Sequence, residues 1–355
     1  MPQLKKKGSV YCGTTVWSTL SAYLDEQEHS RVFILADTNT RAHCLPKLLD
    51  NIRFNNEPHI LEIPAGEQYK TISTCVQLWN ELSQLKADRN SLIINLGGGV
   101  VTDLGGFVAC TFKRGIDFLN IPTSLLAMVD ASIGGKTGVD LGNLKNQVGV
   151  IREPSLVLID TNFLDTLPPA HLRSGLAEML KHGIIASEGY FDACLDFKIN
   201  SDRTEELIWE SVLIKHRIVS EDPTEQGLRK VLNFGHTLGH AIESYFLDKQ
   251  PDAPLLHGEA IAIGMILATY ISSEQLGFPK ESLKKISMGI STIYPKQAFS
   301  EEDITAIRKL LIYDKKNSDG RIYFVLLKDF ADHKINCEVT NSLISNAFLY
   351  YAQLN

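Results

Sequence analysis

Two unbroken apolar runs constrain this chain most. Arg31–Asp37 reads RVFILAD and Ser91–Leu96 reads SLIINL. Neither alternates polar with apolar residues, so each predicts a short strand covered on both faces, as in a parallel sheet held between helices. The second run feeds Gly97-Gly98-Gly99, and Val100 to Cys110 then follows a helical pattern. Strand, glycine turn and helix start make an anion cradle: glycine lets the backbone approach closely, and the first N–H groups of the helix point at the anion with a favourable dipole. The spacing fails the Gly-x-Gly-x-x-Gly fingerprint because its sixth position is Thr102. A pyrophosphate-binding turn outside the classical Rossmann class is expected.

The remaining first half repeats the alternation. A strand at His59–Ile63 leads through Glu67 and Lys70 into a helix from Thr71 to Lys86, and a strand at Phe118–Ile121 runs into Thr123 and Ser124 before a helix carrying Asp130. Leu156–Ile159 is the last strand. Asp37 and Asn39 stand where the first strand meets its loop; an acid there accepts from ribose hydroxyls or caps a helix. Glu67 and Lys70 read either as a cofactor-facing pair or as a salt bridge, and Asp103 lies in the first turns of the glycine helix. Lys113-Arg114-Gly115, Lys136 and Lys145-Asn146 place cations on glycine-rich turns. With a net charge of −7 for the whole chain, such placement points to a phosphate or carboxylate site.

From Pro168 the character changes to long helical patterns, which puts a boundary near 175: an α/β nucleotide-binding domain over 1–175 and a mainly α-helical, metal-binding domain over 176–355. Helices are expected at Arg173–Ile185, where Glu178 and Lys181 stand one turn apart, and at about 203–220, 228–246, 257–276 and 301–312, with one strand at Ile322–Leu327. Arg229–Glu259 holds three of the ten histidines. Helical spacing puts Asn233, His236, His240 and Glu243 on one face, and His257 waits in a His-Gly-Glu beyond a Pro-containing loop. Neutral imidazoles suit a divalent ion such as zinc, and three nitrogens, from His236, His240 and His257, can converge. The first histidine lacks the following Glu of a His-Glu-x-x-His protease.

Composition excludes several classes. At 355 residues with 44% hydrophobic and 22% charged residues, the chain reads as a globular protein of two domains. The acidic balance argues against broad nucleic-acid binding. Six cysteines without a Cys-x-x-Cys pair suit reduced thiols in the cytoplasm. No apolar run follows Lys5, Lys6 and Lys7, so no export signal is read. The most apolar helix candidate, Ala260–Ile271, is too short for a bilayer and reads as buried core, so no membrane partner is expected.

Eight segments carry a resemblance: GGGVVTDLGGFVA (97–109), RG (114–115), IPTSLLAMVDASIGGKTGVD (121–140), GNLKNQVG (142–149), GLAEMLKHG (175–183), GLRKVLNFGHTLGHAIE (227–243), HGEAIAIGM (257–265) and DKKN (314–317). Together they resemble the 3-dehydroquinate synthase family of sugar phosphate cyclases across nearly the whole chain. The resemblance implies an N-terminal α/β domain holding NAD and a C-terminal helical domain holding zinc or cobalt. It implies a substrate that is a phosphorylated sugar acid, 3-deoxy-D-arabino-heptulosonate 7-phosphate, converted to 3-dehydroquinate and phosphate in the shikimate pathway, and a homodimer.

By the same resemblance the metal ligands are Glu178, His236 and His257, which displaces the reading from spacing and leaves His240 to face substrate and move protons. For NAD it implies Asp37, Asn39, Glu67, Lys70, Gly98, Gly99, Val100, Asp103, Thr123, Ser124, Asp130, Lys145, Phe163 and Thr166. For substrate it implies Arg114, Lys136, Asn146, Lys181, Lys215, Arg229, Asn233, His240 and, from the DKKN turn, Lys315. The rival readings are another sugar phosphate cyclase and a metal-dependent polyol dehydrogenase.

Overall fold

The computed structural model describes residues 4–142, 144–250, 253–311 and 322–354. The chain divides into two compact units, Met1–Pro168 with Lys198–His216, and Pro169–Phe197 with Arg217–Asn355. A single cut near 175 therefore differs from the observed division. The second unit starts at Pro169, and 198–216 returns to the first, with the dividing line inside helix Thr204–Glu221.

The first unit contains strands β1 (Lys5–Lys7), β2 (Val10–Cys12), β3 (Val32–Asp37), β4 (His59–Ile63), β5 (Leu92–Gly97), β6 (Asp117–Pro122), β7 (Lys136–Leu141), β8 (Leu144–Ile151) and β9 (Val157–Ile159). Seven of them form one sheet in the order β1-β2-β9-β6-β5-β3-β4, while β7 and β8 make a separate hairpin. Every pairing from β2 to β4 is parallel; β1 alone is antiparallel. The two apolar runs are the interior strands β3 and β5. Phe33 to Ala36 and Leu92 to Leu96 are fully buried, which is why their sequences do not alternate.

Helices Ile72–Gln84 and Gly99–Thr111 cover one face through Cys75, Leu78, Leu104 and Val108 against Phe33, Leu35 and Phe118. The second helix lies so close to the sheet that a Cβ on Gly105 would stand 2.0 Å from Asn95 Oδ1. That approach explains the Gly105-Gly106 pair in a helix interior, where glycine otherwise costs about 1 kcal/mol. Because β3 to β6 are parallel and in register, Asp37, Ile63, Gly97 and Pro122 end along one edge. The β7–β8 hairpin, β1 and β2 went unforeseen in the sequence, as did helices Val16–Glu26, Lys280–Ile293 and Asn341–Gln353. Asp130 sits in a π-helical turn, Ala127–Ala131, rather than an ordinary helix.

The second unit is helical apart from a hairpin of β10 (Tyr323–Asp329) and β11 (Asp332–Glu338). The strand expected at Ile322–Leu327 thus has a partner that the sequence reading passed over: β11 reads DHKINCE and is largely exposed, with only Ile335 and Cys337 as apolar residues on its inner positions, too few to mark a strand. Helix His257–Leu276 is central, packing on helices Pro169–Ala186, His236–Lys249, Lys280–Ile293 and Asn341–Gln353. It is buried on all sides from Ala260 to Thr269, as an all-round apolar helix must be. Each buried Ile, Leu or Met there contributes roughly 1.5–3 kcal/mol. No helix of the described residues is long and apolar enough to cross a membrane.

The helix expected over 228–246 is broken. Leu228–Asn233 is a 3-10 segment, and an α-helix begins only at His236. Gly235 causes the break: its φ is +77°, and a Cβ on it would stand 2.7 Å from Met265 Cγ, so only glycine fits both conformation and space. Asn233 therefore does not share the helix face of His236, His240 and Glu243.

Candidate active site

The carboxyl edge of the sheet gathers most of the residues that the resemblance assigns to a nucleotide. Helix Gly99–Thr111 opens there behind Gly98 with no side chain capping it, which leaves the orphan N–H groups of a helix start to an outside acceptor. The turn is tight: a Cβ on Gly97 would come within 2.5 Å of Val101 Cβ, and one on Gly98 would crowd Ser124 Oγ at 3.2 Å. Thr123 N donates to Gly97 O at 3.0 Å, tying β6 to the turn. Ser124 Oγ accepts from Ala127 N at 3.3 Å. Asp37 proves to be a helix cap, its Oδ1 accepting from Asn39 N at 2.9 Å and Thr40 N at 2.8 Å; Asn39 is exposed.

Beside the turn, Lys70 is buried and bonds Asp103 Oδ2 at 2.7 Å, with Glu67 Oε1 at 3.8 Å. Lys145 reaches the same Glu67 oxygen at 3.2 Å, so one carboxylate ties the β7–β8 hairpin to the loop after β4. Burial alone would lower the Lys70 pKa, but Asp103, Glu67 and Asp140 more than reverse this and hold it above the ordinary lysine range. Burial raises the pKa of Asp103 and Asp140 despite Lys70. At the hairpin tip Asn146 adopts φ +52° and donates its N–H to Asp140 Oδ1 at 2.6 Å. Lys215 Nζ bonds both the carboxylate and the carbonyl oxygen of Asp130 at 2.6 Å. Phe163 is buried edge-on to Trp17, with centroids 6.0 Å apart, under Lys47 Nζ at 5.1 Å, while Thr166 lies exposed on the turn after β9.

Two expected substrate cations lie elsewhere in this unit. Arg114, at φ +71°, precedes the amino end of β6, about 20 Å along the strand direction from the glycine turn. The open end of the β7–β8 hairpin comes to this side: Arg152 Nη2 bonds Asp117 Oδ1 at 3.4 Å, and Lys136 opens β7 next to Gly135, whose O accepts from Arg152 N at 2.8 Å. A cleft of about 590 Å³ there is lined by Asp88, Arg89, Asn90, Lys113 and Arg114. The structure thus does not bring Arg114 and Lys136 to the glycine turn.

In the second unit Glu178, His236 and His257 converge. Glu178 Oε1 lies 3.3 Å from His236 Nε2 and 3.4 Å from His257 Nε2. Two ligand atoms about 2.0–2.1 Å from one ion at the tetrahedral angle are about 3.3–3.4 Å apart, so the spacing fits a common divalent ion. The ligand set fits too, since Glu178 Oε1 is a buried acceptor without a hydrogen-bond donor among the described residues. His236 Nδ1 lies 3.1 Å from Phe234 O and His257 Nδ1 lies 3.2 Å from Glu243 Oε2. Burial pushes the His236 pKa down despite Glu178. Burial acts the same way on His257, but the Glu243 and Glu178 carboxylates overcome it and raise its pKa to about 10. Burial would raise the Glu178 pKa; Lys181 and His236 instead hold it well below the usual carboxylate range.

Helix crossings at glycine produce this convergence. A Cβ on Gly258 would stand 2.1 Å from Ser174 O, so the residue after His257 lets its helix start touch the helix that carries Glu178. Gly258 N donates to Ser174 Oγ at 2.9 Å, and Glu259 Oε2 accepts from Leu256 N at 3.0 Å. His-Gly-Glu is therefore candidate ligand, close approach and helix cap in succession. Lys181 is buried and bonds Glu178 Oε2, as the one-turn spacing predicted. His240 lies edge-on to His236, with centroids 5.1 Å apart, and tilted against His257 at 5.8 Å. Spacing alone had favoured it as a ligand, but its nitrogen is grouped with Glu243 and His257 rather than with Glu178.

Arg229 and Asn233 precede the cluster on the 3-10 segment. Asp222, which the sequence reading passed over, holds this loop by accepting from Gly227 N at 2.7 Å and Arg229 N at 3.0 Å. Arg229 is buried and donates to Pro223 O at 2.7 Å, and Asn233 Nδ2 donates to Glu225 Oε1 at 2.7 Å. Lys315 lies outside the described residues. Glu243 and Ser174 were also missed as supports; Glu243 was visible in helical spacing, whereas nothing in sequence linked Ser174 to Gly258.

Residues 60–174 match the 3-dehydroquinate synthase N-terminal family model and residues 175–317 match the C-terminal one. A 3-dehydroquinate synthase of Parabacteroides distasonis is 44% identical, covering 95% of each chain, and one of Oceanobacillus iheyensis is 36% identical over 97% of this chain and 95% of the relative. Among solved structures, a 2-deoxy-scyllo-inosose synthase complexed with carbaglucose-6-phosphate, NAD+ and Co2+ superposes with a TM-score of 0.83 at 26% identity, covering 98% of this chain and 99% of the other. A butanol dehydrogenase of Thermotoga maritima, at 12% identity and a TM-score of 0.67, covering 98% of each chain, shares the fold alone. With both halves matched and relatives this similar over nearly their full length, the chain belongs to the 3-dehydroquinate synthase family, a family of enzymes.

Proposed function

We propose that the chain converts 3-deoxy-D-arabino-heptulosonate 7-phosphate to 3-dehydroquinate and phosphate, using NAD and one zinc or cobalt ion. The observation that carries the reading is the triangle of Glu178 Oε1, His236 Nε2 and His257 Nε2 at ligand spacing in a member of this family. Glu178, His236 and His257 would hold the metal. Gly98, Gly99 and Val100 would receive the pyrophosphate at the uncapped helix start, with Asp37, Asn39, Glu67, Lys70, Asp103, Thr123, Ser124, Asp130, Lys145, Phe163 and Thr166 on the nucleotide side. Phe163, being buried, would support the surface rather than touch NAD. Bound NAD supplies a reversible two-electron acceptor and the metal a Lewis acid for a substrate hydroxyl.

Oxidation of one carbinol makes the neighbouring C–H acidic, and phosphate then leaves by elimination. Reduction, ring opening and an intramolecular aldol closure follow, so the cofactor ends unchanged. The chain's own part is to fix one substrate carrying both a carboxylate and a phosphate through these steps. Lys181, Lys215 and Arg229, with Asn146 and Asn233, supply donors that repay the desolvation of carboxylate and phosphate. His240, beside the two candidate ligand rings, would move protons. Arg114, Lys136 and Lys315 remain assigned to substrate by family resemblance only. The six cysteines are unpaired, which fits a cytoplasmic enzyme, and a homodimer is the expected assembly.

The test is to supply purified chain with the heptulosonate phosphate, catalytic NAD and zinc or cobalt, and to follow phosphate, 3-dehydroquinate and NADH together. Product without net NADH is expected. Turnover of glucose 6-phosphate or sedoheptulose 7-phosphate in its place would move the chain to another cyclase, and stoichiometric NADH would make it a dehydrogenase.

A further inference from the structure

We infer that Glu243 is a positioning residue for the metal site, acting through His257; this rests on the metal reading above. Glu243 stands two turns after His236 on the same helix face, is buried, and places Oε2 3.2 Å from His257 Nδ1. When Nε2 of His257 serves the ion, Nδ1 must carry the ring proton, and a carboxylate is the strongest acceptor for it. Glu243 thereby fixes both the tautomer and the rotation of the ring, aiming the Nε2 lone pair at the point shared with Glu178 and His236.

The two ligand histidines differ in this respect. His236 donates to the backbone oxygen of Phe234, an acceptor that no substitution removes, while His257 depends on a side chain. Both histidines open their helices, so the kind of acceptor behind each ring is what distinguishes them. The His257 ring is the one a single substitution can misalign, and Glu243 is what prevents it.

The experiment compares the full chain with Glu243→Ala, which removes the acceptor, and Glu243→Gln, which keeps an oxygen but loses the charge. Zinc affinity is read by competition with a chromophoric chelator, and the cobalt form by its visible ligand-field bands. The Ala variant is expected to bind zinc about 10–100-fold more weakly with altered cobalt bands, and Gln to recover part of the loss. Zinc affinity of the Ala variant within threefold of the unsubstituted chain overturns the proposal. If the unsubstituted chain binds neither ion, the metal reading itself fails. Should the Ala variant not fold, nitrogen-15 imidazole spectra of the unsubstituted zinc-loaded chain decide: a proton on Nδ1 of His257 supports the assignment, and zinc on Nδ1 overturns it.

Discussion

The two units build their centres in opposite ways. In the first, the anion cradle is backbone: an uncapped helix start behind glycines whose missing side chains leave room. Its charged neighbours, Lys70, Asp103, Glu67 and Lys145, steady the loops around it. In the second, the centre is made entirely of side chains from three helices, held by buried partners. A backbone site is specified within a dozen residues, whereas a side-chain site depends on how distant helices cross. The first should therefore tolerate loss of the second.

The largest effect tests that independence. His236→Ala should abolish stoichiometric metal binding and lower turnover on the order of 10³-fold, since a Lewis acid contributes several kcal/mol, while NAD affinity measured calorimetrically stays within twofold. Loss of NAD binding in the same variant would break the division into two centres.

A smaller effect comes from the other side. Gly98→Val pushes a branched side chain towards Ser124 and into the anion's approach; NAD should bind about 10-fold more weakly, equal to ~1.4 kcal/mol, with zinc affinity unchanged. Equal NAD affinity in the variant would remove the pyrophosphate from this turn.

The smallest effect sharpens the contrast within the second unit, between its buried cluster and the exposed-side loop that Asp222 holds. Backbone N–H groups of Gly227, Gln226 and Arg229 hold the Asp222 pKa below its ordinary 3.8. A depressed carboxylate pKa contributes stability above the unfolded value and loses it as pH falls through the folded one. Amide protection at Gly227 and Arg229 should hold above pH 4 and decline progressively below it, and Asp222→Asn should remove the dependence. Protection unchanged down to pH 2 would show that other contacts fix the loop.

Sequence legibility followed the same divide. The runs at Arg31–Asp37 and Ser91–Leu96 announced interior parallel strands because burial on both faces removes polar alternation. The triple glycine announced the turn and the helix start behind it because one segment contains the entire geometry. The helix expected over 228–246 failed because local periodicity carries no notice of the left-handed turn at Gly235, where Met265 leaves no room for a side chain. Strand β11 stayed hidden because only Ile335 and Cys337 mark its inner positions, too short an apolar pattern to read. Spacing likewise grouped His236, His240 and His257, since residues four apart do share a helix face; family resemblance, not spacing, pointed to Glu178.

By itself, then, the sequence determined the α/β character of the first half, the helical character of the second, the glycine turn at a helix start and the pairing of Glu178 with Lys181, all consequences of short-range pattern. The tertiary structure decided which atoms meet: Glu178 Oε1 with two imidazole nitrogens, Glu243 behind His257, Asp222 beneath Arg229, and Arg114 away from the glycine turn. Residues 58 and 79 positions beyond Glu178 become its neighbours only once three helices pack at glycine contacts, and no local rule encodes where such helices cross.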